Sequence, residues 1–337
     1  MGKRKKVFIV VLVIATLTCI HLTRAQETQK VRRIGVLFPG SLSYGTPNVE
    51  AFRRGLRELG YVEDRNIVIY YRIAEGKLDR YPILATELVN LKVDVIVTAS
   101  APVVQAVKKA TKTIPIVIAA AADPIGAGLI DSLARPGGNV TGLSMRSPDL
   151  GGKRLQLLKE IVPSARRVGI LWNPTNDGSA VSLRESETAA QLMGLQLQSI
   201  EVRSPGELNL GLKLLTADRT SAFTVLRDPF INQHISRIVE FAAKAYMPAI
   251  YEAREFALVG GLISYGANLL DLYRRAAGFV DKILKGAKPD DLPVEQPMRT
   301  EFIINLKTAK DIGLTIPAVI LQRADKVNKD FGSGKKL

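Results

Sequence analysis

The feature that most constrains the fold is an apolar segment that occurs twice, once near the start of the 337-residue chain and once near its middle. Arg33–Phe38 reads Arg-Ile-Gly-Val-Leu-Phe, and Arg167–Trp172 reads Arg-Val-Gly-Ile-Leu-Trp. Each has the near-continuous hydrophobicity of a strand that is buried on both faces of a parallel sheet. Because new strand and helix patterns follow each copy, the sequence predicts two similar α/β lobes.

Strand and helix patterns alternate after each copy, which is typical of parallel sheets covered by helices on both faces. In the first half, apolar residues at helical spacing predict a helix that Pro47 opens and Gly60 closes. The loop from Asp123 to Gly128 is expected to open another helix. Further strands are predicted at 66–72, 94–98, 115–119, 195–202, 221–226, 248–251, 259–264 and 301–305, and further helices at 79–91, 102–111, 152–161 and 269–286.

The N-terminus has the pattern of a secretory signal peptide. A basic start, Lys3-Arg4-Lys5-Lys6, precedes an apolar stretch to Leu22, and a small residue, Ala25, precedes a polar run. Residues 1–25 are therefore predicted to be cleaved after export, which places the mature protein in the periplasm. The alternative of a membrane anchor is disfavoured because the apolar stretch is short, and a lipid anchor at Cys19 is disfavoured because Thr18 precedes it.

Charge and rare residues exclude several function classes. The chain has 47 basic and 32 acidic residues, and the excess is scattered over helices and loops as ordinary solvated charge. Export argues against nucleic-acid binding. Cys19 is the only cysteine, and His234 is the only histidine after the leader, so a thiol nucleophile, a disulfide and a multi-histidine metal site are excluded. No phosphate-binding or dinucleotide motif is present, and Ser264 lacks the glycine spacing of a nucleophile elbow. No metal, cofactor or enzymatic activity is predicted.

The candidate site consists of loops that follow the strands, because open α/β sheets bind ligands at the carboxyl ends of their strands. These loops offer hydroxyls, helix N-terminal amides, a few carboxylates and aromatic rings. That set suits holding a small polar or zwitterionic molecule between two lobes without transforming it. The candidate ligand-binding residues are Ser41, Ser43, Tyr44, Ser100, Ala101, Asp123, Trp172, Asn173, Asp228, Tyr251 and Tyr265.

Most of these residues also have a purely structural interpretation. Ser100 can cap the helix that follows it, and Asp123 can be a turn residue. Trp172 can lie in the core, and Asp228 can start a helix. The same holds for the two tyrosines near the hinge, Tyr251 and Tyr265, which can be packing residues.

Longer segments carry a resemblance to a known family. The chain resembles exported ABC-transporter substrate-binding proteins of the tryptophan-binding-like group, which have the type I periplasmic binding fold, from about Arg33 to Val327. The segments that carry the resemblance are Phe52–Tyr61, Ala85–Val89, Asp123–Ile130, Ser132–Gly142, Gly260–Gly266, Lys282–Pro289 and Leu292–Pro297.

The resemblance implies two Rossmann-like lobes with parallel sheets, joined by a hinge of three crossovers. Lobe 1 is expected to comprise 30–144 plus 266–327 and lobe 2 to comprise 145–265, with a flexible tail at 328–337. It also implies a monomer that passes a small-molecule ligand to a membrane permease driven by a separate ATPase.

The resemblance does not fix the ligand, and the loops of this chain depart from those of its relatives. If the ligand is an amino acid, we expect roles for five residues. The amides of Ser100 and Ala101 would hold its carboxylate, Asp123 its ammonium group, and Tyr44 and Trp172 would flank its side chain. Two alternatives stay open. One is an exported sensor that passes ligand occupancy to a membrane receptor. The other is an enzyme of the same fold that uses Asp228, Glu252 or Asp123 as acid or base.

Overall fold

The computed structural model describes residues 31–145, 147–217, 220–296 and 300–329. The predicted signal peptide and the tail beyond residue 329 lie outside these residues. Within them, no helix has both the length and the apolar character needed to cross a membrane.

Lobe 1 is built on a five-stranded parallel sheet with the order β2-β1-β3-β4-β5. Its apolar strands are buried between helices, as the continuous hydrophobic runs predicted. The strands are β1 (Arg32–Phe38), β2 (Ile67–Ile73), β3 (Val95–Ala99), β4 (Ile116–Ala121) and β5 (Val140–Ser144), and the helices are α1 (Leu42–Glu58), α2 (Arg80–Asn90) and α3 (Ala101–Ala110).

Lobe 2 is built on a seven-stranded sheet with the order β12-β11-β10-β9-β8-β6-β7, in which β10 and β11 form the antiparallel pair. Helices cover both of its faces around two apolar clusters. The strands are β6 (Arg167–Trp172), β7 (Gln196–Glu201), β8 (Ala222–Val225), β9 (Ala249–Tyr251), β10 (Ile263–Ala267), β11 (Thr300–Asn305) and β12 (Lys326–Asn328). The helices are α4 (Ser147–Ile161), α5 (Asp177–Leu192), α6 (Pro205–Ala217), α7 (Ile235–Lys244), α8 (Arg254–Leu258), α9 (Leu269–Leu284), α10 (Leu306–Asp311) and α11 (Ala318–Arg323).

Along the described residues the chain changes lobe three times: Met145 ends the first segment of lobe 1, Asn268 precedes the helix that packs on lobe 1, and Thr300 begins the last segment of lobe 2. After the second crossing, α9 packs on α1 of lobe 1 although it follows a strand of lobe 2. The two α/β lobes and the crossings between them match the predicted architecture.

The expected extent of lobe 1 needs a correction at its C-terminal end. Residues 300–328 belong to lobe 2, because β11 pairs with β10 and β12 pairs with β11. Phe302 and Ile304 are buried in the core of lobe 2. This burial explains why the chain goes back to lobe 2 at residue 300. Asn328, expected at the start of the tail, is the last residue of β12 and pairs with Asn305.

Lobe 1 depends on a close approach of two helices. A Cβ at Gly55 of α1 would collide with the carbonyl oxygen of Arg274 in α9, so only glycine allows this contact. The contact fixes the position of α9, whose N-terminal part reaches the boundary between the lobes.

Three local expectations were wrong. Helix α1 begins at Leu42, so Pro47 lies inside it rather than at its start. Asp123 opens a series of turns instead of a helix, because its Oδ1 accepts hydrogen bonds from the amides of Ile125 and Gly126 and thereby closes a tight turn. The strand expected at 259–264 is β10 (Ile263–Ala267), and the short helix α8 precedes it.

Candidate functional site

A cavity lies between the two lobes, and its empty space of about 570 Å³ includes open solvent. Lobe 1 contributes the ends of β1, β3 and β4 together with α1, and lobe 2 contributes the residues that follow β6 and β8. Residues at the start of α9, close to the second crossing, complete the lining. The cavity therefore lies at the carboxyl ends of the strands, where the sequence predicted a site.

The wall from lobe 1 and α9 is predominantly apolar. The rings of Phe38 and Tyr273 pack at a tilt, with centroids 6.3 Å apart. Leu269 and Met145 lie on the same wall, together with small alanines at the strand ends. An apolar group on a ligand would therefore lose contact with water against this wall.

Ser100 occupies a strained position at the lobe 1 wall. Its φ of 64° and ψ of 147° fall in a region that side chains other than glycine rarely adopt. Its hydroxyl does not cap α3, and the Oγ is buried with no hydrogen-bond partner among the described residues. The capping interpretation is therefore not supported by this geometry. The strain places a polar group and the first amides of α3 at the cavity.

Asn48 is a second polar group of this wall. It projects from α1, its exposure is 1%, and it lines the cavity. Its Oδ1 is buried and has no hydrogen-bond partner within the described parts of the chain. Because a buried acceptor without a partner costs free energy, a ligand that donates a hydrogen bond to it would be stabilised.

The lobe 2 wall carries a buried ionic cluster, which consists of Arg154, Arg227 and Glu252. The Glu252 carboxylate lies 3.6 Å from Nη2 of Arg154 and 3.6 Å from Nε of Arg227. The side chains of these residues are 1%, 8% and 3% exposed. Burial lowers the pKa of Arg154, and the neighbouring Glu252 opposes that shift. Arg227 is the member that lines the cavity.

Asp228 lies immediately behind this wall. Its Oδ1 accepts hydrogen bonds from the amides of Phe230 and Ile231, and its Oδ2 accepts one from the side chain of Asn176, which lines the cavity. Burial raises the pKa of Asp228, although these hydrogen bonds and one from Asn173 lower it. The Asp228 carboxylate thus stabilises the beginning of the short helical turn at Ile231–His234 and positions the side chain of Asn176.

A smaller cavity adjoins the first at Pro229, and its empty space of about 380 Å³ likewise includes open solvent. Tyr81 and Pro102 of lobe 1 face Asn173 and Asp228 of lobe 2 across it. Asp228 and Asn173 therefore line the boundary between the lobes but not the larger cavity.

The lobes touch each other around the cavity. A Cβ at Gly178 would lie 3.4 Å from the Cβ of Ala122, and a Cβ at Gly126 would lie 3.2 Å from Cγ2 of Val181. On another side, the side chain of Gln233 lies against Gly76. These contacts join lobe 1 to lobe 2, so the structure shows a closed arrangement.

Ser100 and Ala101 are the predicted site residues that line the larger cavity. Asp123 is half-buried beside the lining residue Ala122, and its Oδ1 is engaged in the turn described above. Ser41 follows the lining residue Gly40. The side chains of residues 42–45, and with them Ser43 and Tyr44, lie outside the described part of the structure.

Three predicted aromatic residues pack inside lobe 2. Trp172 lies against Ile170, and its Nε1 donates a 2.7 Å hydrogen bond to Ser199. Tyr251 is fully buried and stacks on Phe256. Tyr265 meets the edge of Phe302, and its carbonyl oxygen accepts a hydrogen bond from Arg154. In this closed arrangement none of these three lines the larger cavity.

Several lining residues were not predicted, and two of them lie outside the loops that follow strands. Asn48 and Tyr273 project from the interiors of α1 and α9, and only the packing of these helices brings them to the cavity. Arg227 is different, because it directly follows the strand predicted at 221–226. The expectation that ligands bind at the carboxyl ends of strands therefore applied to Arg227, although it was not among the candidates. Within the described residues, no group of three or more His, Cys, Asp or Glu side chains is arranged to hold a metal ion.

Comparison with known proteins gives a family match over most of the chain. The family model described as ABC transporter substrate binding protein matches residues 45–328. The chain is 29% identical to a tyrosine-binding protein of Clostridioides difficile over 86% of its own length and 83% of that protein's length.

Two solved structures show the same similarity. An ABC domain from Streptococcus pneumonia in complex with L-Trp superposes with a TM-score of 0.84 at 30% identity, covering 88% of this chain and 100% of that one. A substrate-binding protein of Clostridium difficile, described as ligand-free and open, superposes with a TM-score of 0.66 at 27% identity, covering 89% of this chain and 100% of that one.

Proposed function

The chain belongs to the ABC transporter substrate-binding protein family, and on that premise we propose that it captures an amino acid with an aromatic or other apolar side chain. The ligand occupies the cavity between the lobes and is handed unchanged to a membrane permease with its ATPase. The proteins of this family act outside the cytoplasm. The mature chain works as a periplasmic monomer after loss of residues 1–25, without a lipid anchor at Cys19.

The observation that carries this proposal is the division of the cavity into an apolar wall and a polar wall. Phe38 and Tyr273 suit an apolar side chain, whereas Ser100, Asn48 and Arg227 suit the polar groups of an amino acid. The relatives that bind tyrosine and L-Trp support the same ligand class.

Ligand capture is coupled to closure of the lobes. A ligand shifts the equilibrium between open and closed states only through its differential affinity for them. A molecule that touches both walls binds the closed state better, because both sets of contacts exist only there. The higher TM-score with the L-Trp complex than with the open, ligand-free protein supports the assignment of this structure to the closed state.

The roles of individual residues follow the same scheme. The first amides of α3, at Ser100 and Ala101, hold the ligand carboxylate, because helix N-termini attract anions. Asp123 holds the ammonium group, through a small movement of its turn. Tyr44 flanks the side chain, and Trp172 does so once the end of β6 turns its ring from the lobe 2 core toward the cavity. Ser41, Ser43, Asn173, Asp228, Tyr251 and Tyr265 support the loops that surround the ligand.

A thermal-shift screen tests the proposal. The mature protein is unfolded and refolded to remove carried-over ligand, then screened against amino acids, nucleobases, sugars and small acids. A ligand at one hundred times its dissociation constant stabilises the protein by about 2.7 kcal/mol, which raises the melting temperature measurably. Aromatic amino acids should give the largest shifts, and a response confined to sugars or nucleobases rejects the ligand class.

A variant tests the assigned role of Asp123. Asp123→Asn, whose side-chain oxygen can still accept the hydrogen bonds of the turn, should abolish the response to an amino-acid ligand while the ligand-free melting temperature changes little. A response equal to that of the wild type removes Asp123 from the site.

A further inference from the structure

A polar side chain interrupts the apolar buried face of α1. Ala51, Phe52 and Leu56 follow one another at helical spacing, and each is at most 3% exposed in the lobe 1 core. Asn48 lies one turn before Phe52 on the same face, and its own exposure is only 1%. The periodicity of α1 therefore favours an apolar side chain at the position that Asn48 occupies.

The burial of Asn48 has a cost that folding does not recover. Its Oδ1 accepts no hydrogen bond from any residue that the structure describes. A buried acceptor without a partner loses the free energy of its hydration, whereas a leucine at the same position would not. Because the asparagine does not stabilise the fold, its place on the buried face indicates a role in binding.

Asn48 lines the cavity between the lobes, and its helix is held in place. The close approach of α1 to α9 at Gly55 lies on the same side of α1. The wall to which Asn48 belongs is predominantly apolar. A ligand that fills the cavity keeps water away from the Oδ1 of Asn48, so the ligand itself has to supply the hydrogen-bond donor.

Asn48 and the N-terminus of α3 offer complementary groups on one wall. The amides of Ser100 and Ala101 donate and suit a carboxylate, whereas the Oδ1 of Asn48 accepts and suits an ammonium group. Asp123, the other proposed partner of the ammonium group, lies beside the lining residue Ala122. An ammonium group has three N–H donors, so Asn48 can accept one of them whether or not Asp123 accepts another.

We infer that Asn48 is a specificity-determining residue of this cavity, and that it restricts the cargo to solutes that carry an ammonium group. This inference rests on the proposed function and deepens it. A deaminated analogue keeps the ring and the carboxylate but has a C–H bond in place of the amino group. It therefore leaves the buried Oδ1 of Asn48 without a donor, and a site with an unpaired buried polar group rejects such an analogue.

The first test uses ligand pairs on the wild-type protein. Isothermal titration calorimetry compares L-tryptophan with indole-3-propanoate, L-tyrosine with desaminotyrosine, and L-phenylalanine with 3-phenylpropanoate. Weak ligands are measured by competition against the amino acid of the pair. The amino acid of any pair that binds should bind at least about 5-fold more tightly, which is the loss expected for an unpaired buried acceptor. A smaller preference, or a preference for the deaminated acid, overturns the inference.

The second test assigns this preference to Asn48. Asn48→Leu should weaken the binding of the amino acid at least about 5-fold. The deaminated acid should bind the variant at least as tightly as it binds the wild type, because two apolar groups then meet where the acceptor lacked a donor. The decisive quantity is the ratio of the two affinities. A general disturbance of the cavity weakens both ligands alike and leaves this ratio unchanged.

Two further variants complete the second test. Asn90→Leu makes the same chemical change at an exposed position at the end of α2, away from the cavity, and should bind both ligands as the wild type does. Circular dichroism and the ligand-free melting temperature verify that each variant is folded. If Asn48→Leu does not fold, Asn48→Ala, which also removes the acceptor and introduces no larger side chain, takes its place.

The possible results separate the inference from the proposed function. If the ratio of affinities in folded Asn48→Leu is within about 5-fold of the wild-type ratio, the inference is wrong and the proposed function stands. If tryptamine binds and no amino acid does, the amino-acid class is wrong. In that case a loss of tryptamine binding of at least about 5-fold in Asn48→Leu supports the inference, and a smaller loss rejects it. If only sugars or other solutes without an ammonium group bind, both are wrong.

Discussion

The two walls of the cavity differ in chemistry and in construction. The wall of lobe 1 and α9 is formed by strand ends and helix faces, and Phe38 and Tyr273 give it its apolar character. The lobe 2 wall is formed by loops after β6 and β8, and Arg227 and Asn176 give it charge and hydrogen-bonding groups. Apolar contact is non-directional, whereas ionic contact requires a fixed geometry. Under the proposed function, we expect the apolar part of the lobe 1 wall to contribute affinity and the lobe 2 wall to contribute selectivity and closure.

The largest expected effect comes from the carboxylate that supports the lobe 2 wall. Glu252→Ala leaves Arg154 and Arg227 buried without it, and breaking a buried ion pair on one side costs about 3–5 kcal/mol. The free energy of unfolding, measured with urea, should fall by that amount. Glu240→Ala serves as the control, because Glu240 is 63% exposed in its pair with Lys244 and should change stability far less. Equal effects of the two variants would show that the cluster does not stabilise the fold.

Ser100 provides a test of the lobe 1 wall that separates backbone strain from ligand contact. Ser100→Ala and Ser100→Gly both remove the hydroxyl, but only glycine relieves the strain of a φ of 64°. Both variants should weaken carboxylate binding, since a hydrogen bond to a charged group contributes about 1.5–3 kcal/mol. Ser100→Gly alone should be more stable than the wild type, by about 1 kcal/mol. Unchanged calorimetric affinity in both variants would place the hydroxyl outside the ligand site.

Tyr273 tests how much the apolar wall contributes to ligand affinity, and the expected effect is smaller. Tyr273→Leu keeps an apolar side chain but removes the ring, and an aromatic pair contributes about 0.5–1.5 kcal/mol beyond its buried area. Binding of an aromatic ligand should weaken by about 2- to 12-fold, while binding of L-leucine should change less. Tyr273→Phe is the control for the hydroxyl. A similar loss for aromatic and aliphatic ligands would indicate that the wall does not distinguish rings.

The same contrast between walls explains which parts of the molecule were predictable. Strands such as β1 and β6 were located within a residue, because burial on both faces makes a continuous apolar run that is visible locally. The return of residues 300–328 to lobe 2 was not predicted, because it depends on the pairing of β11 with β10, which no local pattern records.

Prediction of the site residues had the same limit, because local patterns do not record which helices pack at the cavity. Ser100 and Ala101 were found because they directly follow β3, and strand ends form the cavity. Asn48 and Tyr273 were missed because each lies within an amphipathic helix, where a residue at the cavity has the same spacing as a residue in the core. The roles assigned to Asp123 and Trp172 stay predictions, and the variants described above decide the first of them.

The last prediction concerns pH and the acid behind the lobe 2 wall. Burial raises the pKa of Asp228 above the usual value of about 4, so the folded protein holds this proton more tightly than the unfolded chain does. The stability that depends on protonated Asp228 is complete below pH ~4 and is lost as the pH rises through the raised folded-state pKa. The variant Asp228→Asn carries an amide at this position, which does not titrate. The wild type and the variant share all other titratable groups. The difference between their unfolding free energies therefore reports the titration of Asp228 alone.

The expected result is a difference that shifts in favour of Asp228→Asn as the pH rises from 4, by at most about 1.4 kcal/mol per pH unit. Urea unfolding at pH 4, 5, 6 and 7 measures it, and the slope is independent of any constant cost of the substitution. Tyr81 faces Asp228 across the smaller cavity, but it stays protonated over this range because burial raises its pKa further. A difference that is constant with pH, or that shifts in favour of the wild type, would mean that hydrogen bonds from Asn173, Asn176 and the backbone outweigh burial, and that the lobe 2 wall holds an ordinary carboxylate behind Arg227.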